Sequence, residues 1–201
     1  MKVQVRSEMM TNSDLPDWLI PPPEGFQAED LDHLPDLPPH TELIDGSLVL
    51  VSPQKDFHTL MLYLLEDGLR RMAPENLRVR REMSVVLGPR QRPEPDIIVL
   101  RAGALRGLDT TAYQAADVVL AVEVVSPESE ERDRKRKPSL YAEAGIPHFW
   151  LVENAEARPT VNVYELDPAT RNYVLSGTYQ DRLHLSAPFD IEIDLTRIDD
   201  L

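Results

Sequence analysis

The chain has 201 residues, of which 42% are hydrophobic and 28% charged, a composition that is typical of a globular domain and excludes a disordered chain. It contains no cysteine, which excludes a disulfide framework and thiolate metal sites. The formal net charge of −14 disfavours a polyanionic partner, yet residues 70–137 carry 14 of the 21 basic side chains against 11 acidic ones. No segment has the pattern of a signal peptide or a membrane span, so we expect a soluble cytoplasmic protein without a membrane partner.

The first 40 residues are rich in proline and acidic side chains, and "PPP" and "LPDLPP" interrupt regular structure. We expect residues 1–40 to form an arm with at most one short helix, near "AEDLDHL". Residues 41–201 are then expected to form a single domain.

Two short strand patterns follow in "TELIDGSLVLVSP", joined by Asp45-Gly46, a pair that favours a two-residue hairpin turn. Ser52 and Pro53 are predicted to supply the N-cap and the first turn of a long helix. The apolar residues of "DFHTLMLYLLEDGLRRM" recur at helical spacing, which gives that helix one apolar face.

From residue 78 to residue 100 the pattern returns to strands. We predict one strand in "RVRREMSVVL", a turn through "GPRQRPEP", and a second strand in "DIIVL". The run "VVLAVEVVSP" predicts a core strand that is buried on both faces. A helix should begin a few residues before Pro138 and end at Gly145.

Further strands are predicted in "PHFWLV", "TVNVYEL", "RNYVLSGTY" and "FDIEIDL". Strands on both sides of two helices indicate an α/β fold in which a mixed β-sheet is flanked by helices, with additional C-terminal β-strands.

Two carboxylates stand at the ends of predicted core strands. Glu123 interrupts the most apolar run of the chain, and Asp96 follows Pro95 at the start of "DIIVL". Either residue alone has a simpler interpretation: a glutamate that reaches solvent or an arginine, and an aspartate that caps a turn. Together they could hold a hard divalent cation, because Mg²⁺ prefers carboxylate oxygens.

A Pro-Asp pair at a strand start, a glutamate in the next apolar strand and a nearby lysine resemble the PD-(D/E)XK nuclease superfamily. In that superfamily the lysine lies two residues after the second acid, where this chain has Val125. The order of "TELIDGSLVLVSP", "PEPDIIVL", "VEVVSPES" and "YAEAGIPHFWLV" over residues 27–195 is similar to the Uma-type family of restriction endonucleases. In that family the lysine lies on the following helix.

The resemblance implies a restriction-endonuclease-like fold and a metal-dependent endonuclease that acts on DNA. Its metal ligands for Mg²⁺ or Mn²⁺ would be Asp96, Glu123, the backbone carbonyl of Val124, and Glu42 as an outer acid. Such a cation polarises a phosphoryl oxygen and activates water for attack. A homodimer is compatible with this activity, because double-strand cleavage needs two active sites.

The catalytic lysine implied by the resemblance is Lys137, with Lys135 as the alternative. Asp133 and Tyr141 lie one helical turn to either side of Lys137 and would share its helix face. His58, near the start of the long helix, could contact substrate or an acid of the site, although a structural role is the commoner one for such a histidine.

Two other functions remain open at this level. One is a nucleic-acid-binding or interaction module that keeps the nuclease fold without catalysis, which the acidic net charge favours. The other is a metal hydrolase that acts on a smaller phosphodiester.

Overall fold

A six-stranded mixed β-sheet forms the centre of the protein. The computed structural model describes residues 19–51, 53–155 and 158–201. The strands of the sheet are β3 (Leu77–Arg81), β5 (Ile97–Arg101), β7 (Val118–Val124), β8 (His148–Ala155), β9 (Arg158–Asp167) and β10 (Asn172–Tyr179). Their spatial order is β10-β9-β8-β7-β5-β3.

Only β7 and β8 run parallel within this sheet, and every other neighbouring pair is antiparallel. A parallel pair needs a crossover, and here it consists of a π-helical turn (Arg132–Arg136) followed by helix α2 (Lys137–Glu143). Gly145, with φ +81°, follows the end of α2, as the sequence predicts.

Three small two-stranded sheets flank the central sheet. They pair β1 (Glu42–Ile44) with β2 (Ser47–Val49), β4 (Ser84–Val86) with β6 (Ala112–Gln114), and β11 (Arg182–Leu185) with β12 (Ile191–Asp194). The predicted turn between β1 and β2 is confirmed, because Asp45 and Gly46 have φ values of +55° and +79°.

Both faces of the inner strands β5 and β7 are buried, which explains their uninterrupted apolar runs. Ile97 and Val99 of β5 pack in the cluster that contains helix α1 (Asp56–Met72), whereas Ile98 and Leu100 pack on the opposite side with Tyr141 of α2. The predicted mixed α/β sheet with additional C-terminal strands is therefore confirmed. None of the helices in the described ranges has both the length and the apolar character needed to cross a membrane.

The structure corrects the predicted start of the long helix. Helix α1 begins at Asp56 with Lys55 as its N-cap residue, so Pro53 precedes the helix and does not form its first turn. The extended backbone of Lys55 sets this boundary. Ser52 lies outside the described residues.

The single strand predicted in "RVRREMSVVL" is wrong. Glu82 has φ +51°, which breaks the extended backbone and separates β3 from β4. As a result β3 pairs with β5, whereas β4 pairs with β6 outside the central sheet. Strands β6 and β11 were not predicted, because each is only three or four residues long.

The segment before β1 packs on the rest of the protein. A short 3₁₀-helix (Ala28–Asp32) lies where the sequence predicts one, and Phe26 and Ala28 cluster with Leu43. The buried Arg92 guanidinium donates to both carboxylate oxygens of Asp32, at 2.8 and 2.9 Å. Apolar packing and an ion pair therefore both hold the segment before β1 against the rest of the protein.

A Gly68→Ala substitution tests the packing of α1 on β12. The new Cβ would lie 2.6 Å from Cδ1 and Cγ1 of Ile193. Overpacking of a core costs about 1–3 kcal/mol, which outweighs the gain in helix propensity of about 1 kcal/mol. We expect a lower free energy of unfolding in urea, whereas Gly88→Ala, where no atom lies within 4 Å of the Cβ, should change little. Equal effects of the two substitutions would contradict this packing.

An Asp32→Asn substitution tests the ionic contact of the N-terminal segment. Hydrogen bonds from Arg92 hold the pKa of Asp32 below its ordinary value. The contribution of the pair to stability is therefore complete above the unfolded pKa of about 4 and is lost as the pH falls through the folded pKa. For a half-exposed carboxylate we expect a loss of about 1 kcal/mol at pH 7, which disappears in acid unfolding titrations. A loss that is independent of pH would argue against the ion pair.

Candidate active site

A cavity of about 550 Å³ opens where β1, β7, α1 and the π-helical turn meet. Glu123 lies near the end of β7, where it alternates with Val122 and Val124, which pack toward α1. The period of two in a strand therefore turns Glu123 toward the opposite side, where α2 lies. Asp96 precedes β5, the strand that pairs with β7.

The Lys137 ammonium is the centre of the site. Its Nζ lies 2.9 Å from Glu42 Oε1, 3.0 Å from Glu123 Oε2 and 3.3 Å from Asp133 Oδ1. All four side chains are almost completely buried. A buried ammonium has three donors to satisfy, and here three carboxylates surround it.

The π-helical turn determines where Lys137 lies. The backbone N–H of Lys137 donates to the carbonyl of Arg132, five residues earlier, instead of four as in an α-helix. Pro138 follows at the start of α2, where its missing N–H is tolerated. Asp133, Lys137 and Tyr141 thus share the buried face that their spacing predicts.

Glu123 has both carboxylate oxygens engaged. Oε2 accepts from Lys137, and Oε1 accepts from the hydroxyl of Tyr141. Burial raises the pKa of Glu123 well above its ordinary value, and the neighbouring Asp133 adds to the effect while Lys137 opposes it. Burial likewise raises the pKa of Tyr141, so its hydroxyl remains a donor at neutral pH.

The two remaining members of the cluster follow the same physical rules. Burial raises the pKa of Asp133, although Lys137 acts in the opposite direction. Burial alone lowers the pKa of Lys137, but the surrounding carboxylates, led by Glu123 and Glu42, outweigh it and raise this pKa well above its ordinary value. The ammonium therefore stays charged at neutral pH.

Asp96 is bound at the mouth of the same cluster. Its Oδ2 accepts the backbone N–H of Val124 at 2.6 Å, and its Oδ1 lies 3.2 Å from His58 Nε2. The other ring nitrogen, Nδ1, donates to the carbonyl of Val124 at 3.1 Å. Burial lowers the pKa of His58, but hydrogen bonding and charge from Asp96 outweigh it, so the net shift is upward.

The structure thus brings together eight of the nine residues singled out from the sequence: Glu42, His58, Asp96, Glu123, Val124, Asp133, Lys137 and Tyr141. It does not bring Lys135 into the site. That side chain is 76% exposed and pairs with Glu131 at 3.4 Å, on the opposite side of the helical turn.

Several ionisable residues that line the cavity were not singled out from the sequence: His40, Glu82, Glu94, Glu128 and Arg132. The backbone N–H of Glu94 donates to Glu42 Oε1 at 2.9 Å, and its carboxylate lies 2.5 Å from His40 Nδ1. Glu94 lies two residues before Asp96, and in extended backbone this spacing points two side chains to the same side. It could therefore have indicated that both residues line the site. No sequence pattern distinguishes Arg132 from the other basic residues around it.

The expected metal ligands fit a hard divalent cation in donor chemistry and in charge. Asp96, Glu123, Glu42 and the Val124 carbonyl all offer oxygen, which Mg²⁺ and Mn²⁺ prefer. One ammonium faces three carboxyl groups in the buried cluster, so a bound cation would favour their ionised forms. Across residues 19–51, 53–155 and 158–201, no three His, Asp or Glu side chains are already grouped as metal ligands.

A Tyr141→Phe substitution tests the hydrogen bond to Glu123. It leaves a buried carboxylate oxygen without its donor, which costs about 1–3 kcal/mol. We expect that loss in the free energy of unfolding of the metal-free protein. Tyr164→Phe is the matched control, because no hydrogen bond of the Tyr164 hydroxyl is found in the described part of the chain, and the same loss in both variants would refute the assignment.

Comparisons with known proteins identify the family and the fold. The model of the Uma2 family, described as "Putative restriction endonuclease", matches residues 28–197. The fold is similar to that of a "putative nuclease belonging to DUF820" from Anabaena variabilis, with a TM-score of 0.62 and 17% sequence identity over 88% of this chain and 93% of that chain. No curated protein matches the sequence. Since the family model spans most of the chain, the protein belongs to the Uma2 family, and the resemblance seen in its sequence is confirmed.

Proposed function

We propose that this protein is a metal-dependent endonuclease that hydrolyses phosphodiester bonds in DNA. The observation that carries the proposal is the position of Lys137, whose Nζ lies within 3.3 Å of Glu42, Glu123 and Asp133 at the wall of an open cavity. A buried ammonium among carboxylates is costly to maintain for stability alone, and such groups concentrate at functional sites. The family description supports a nuclease.

The cation of the proposal is Mg²⁺ or Mn²⁺. Asp96, Glu123, the Val124 carbonyl and Glu42 would hold it. When bound, it would polarise a phosphoryl oxygen and lower the pKa of a water molecule. The residues of the chain fix this environment in advance, because each expected ligand is already bound by a protein donor.

Lys137 is the residue that would act on the reacting groups. Its three carboxylate partners keep it charged and fix its Nζ, so it can orient an attacking water and offset negative charge that develops on the phosphoryl oxygens. His58 would act through others: its ring holds the Asp96 carboxylate and the Val124 carbonyl in place.

One observation favours the alternative of a binding module without catalysis. Both oxygens of Glu123 are engaged by Tyr141 and Lys137, and His58 bridges Asp96 and Val124, so most of the expected ligands are already engaged without a cation, although Oδ1 of Asp133 is buried without a hydrogen-bond donor in the described part of the chain. In that case the carboxylates would be part of a buried polar network with a structural role. Metal binding separates the two functions.

The decisive experiment combines Mg²⁺ and Mn²⁺ titration by calorimetry with plasmid cleavage in the same buffers. Asp96→Asn keeps the shape of the side chain but removes its charge. We expect it to weaken metal binding and to lower cleavage at least about 100-fold. Asp109→Asn is the control, because it removes the same charge from an exposed loop.

Wild-type protein that neither binds metal nor cuts DNA would rule out the endonuclease and leave the binding module. Equal losses in the two variants would show that charge in general is responsible, and not the ligand position. Lys137→Met compared with Lys135→Met distinguishes the two lysines: only the former should lose cleavage. Sedimentation of the active protein would test the homodimer that double-strand cleavage requires.

A further inference from the structure

The cavity at the candidate active site has a strongly acidic lining. Seven carboxylates line it: those of Glu42, Glu82, Glu94, Asp96, Glu123, Glu128 and Asp133. A phosphodiester is itself an anion, so this lining repels the proposed substrate at close range. A divalent cation would offset only part of the charge, and basic side chains of the chain have to attract the phosphate.

The basic side chains of the same cavity are mostly engaged already. Lys137 is surrounded by its three carboxylates. His40 pairs with Glu94 at 2.5 Å, and His58 pairs with Asp96 at 3.2 Å. Each of these groups lies beside an acid in the free protein, which weakens its contribution to the first binding of an anion, before any charge develops in a reaction.

Arg132 differs from these three. Its half-buried side chain lines the cavity, and its Nε is buried without a hydrogen-bond partner. One terminal nitrogen makes a long contact of 3.5 Å with the carbonyl of Glu128. Within the described ranges no carboxylate pairs with the guanidinium, although Arg134 and Arg136 on the same turn are both paired. A buried donor that lacks a partner is rare and requires a physical explanation.

The backbone keeps Arg132 in a fixed relation to the lysine of the site. Arg132 is the first residue of the π-helical turn, and its carbonyl accepts the N–H of Lys137. The next residue, Asp133, contacts the Lys137 ammonium. The π-helical turn therefore holds the Arg132 guanidinium at the cavity wall, while the same turn holds Asp133 in the buried cluster and leads directly into Lys137.

We propose that the guanidinium of Arg132 binds a phosphate group of the DNA strand that enters this cavity, so that Arg132 is a substrate-binding residue. The inference rests on the proposed function, because it takes DNA as the ligand. A guanidinium suits this task, since its planar donors match two phosphate oxygens at once. The phosphate would supply the acceptor that Nε lacks in the free protein.

The test is the affinity of the full-length protein for a fluorescent DNA duplex, measured by anisotropy in Ca²⁺ across a range of salt concentrations. For Arg132→Gln we expect a Kd about tenfold higher and a slope of log Kd against log salt that is lower by about 0.9, the value of one phosphate contact. Arg132→Lys should keep the slope but lose part of the affinity, because a lysine is charged but not bidentate.

Arg106→Gln is the matched control. It removes the same charge from an exposed arginine outside the cavity whose guanidinium also donates to a backbone carbonyl, that of Gly103 at 2.7 Å. We expect it to leave both the affinity and the slope unchanged. If Arg132→Gln does not fold, Arg132→Lys carries the test, and wild-type affinity in that variant would overturn the inference.

The outcomes separate this inference from the endonuclease itself. DNA binding that depends on Arg132 in a protein that cuts no plasmid would support the inference and overturn the endonuclease. Plasmid cleavage together with equal binding by Arg132→Gln and Arg106→Gln would overturn the inference and leave the endonuclease. Wild-type protein that does not bind DNA would overturn both.

Discussion

The arrangement of the site depends on one buried ammonium. Lys137 connects three elements: the hairpin that carries Glu42, the sheet strand that carries Glu123 and the helical turn that carries Asp133. Without a cation at that point, three ionised carboxylates could not be buried together, because each would lose its hydration without compensation and would take up a proton instead. The packing of these three elements therefore depends on the charge of Lys137.

A second ion pair outside the cluster supports the same arrangement. Arg136, next to Lys137, donates to the carboxylate of Asp45 in the turn between β1 and β2, and Gln91 donates to the same carboxylate. The hairpin that carries Glu42 is thus attached to the turn that carries Lys137 at its exposed end as well as inside the core. An exposed pair contributes little to global stability, but it limits how far the two elements can move apart.

The predictions from sequence succeeded where the local pattern and the tertiary environment agree. The apolar run around Glu123 and the acid after Pro95 identified two neighbouring strands of the sheet, since strands buried on both faces must be apolar throughout. They failed at Glu82, whose positive φ divides the predicted strand, and at the start of α1, where Lys55 is the N-cap residue and Pro53 lies before the helix. Both errors concern the backbone conformation of single residues, which composition does not determine.

The sequence by itself determined the α/β class and most strands of the central sheet, because hydrophobic periodicity is a property of the chain alone. The positions of charges at the ends of apolar runs indicated Asp96 and Glu123, whereas the expectation that Glu42, Val124 and Lys137 belong to the site came from the family resemblance. Only the tertiary structure showed that Lys137 lies against the acids and that Lys135 does not, since the π-helical turn buries one side chain and leaves the other in solvent. Likewise, Arg132 differs from Arg134 and Arg136 in the described part of the chain only because carboxylates lie close to the latter two and not to Arg132. Ion pairing is a property of distances across the fold, and residues far apart in sequence set those distances.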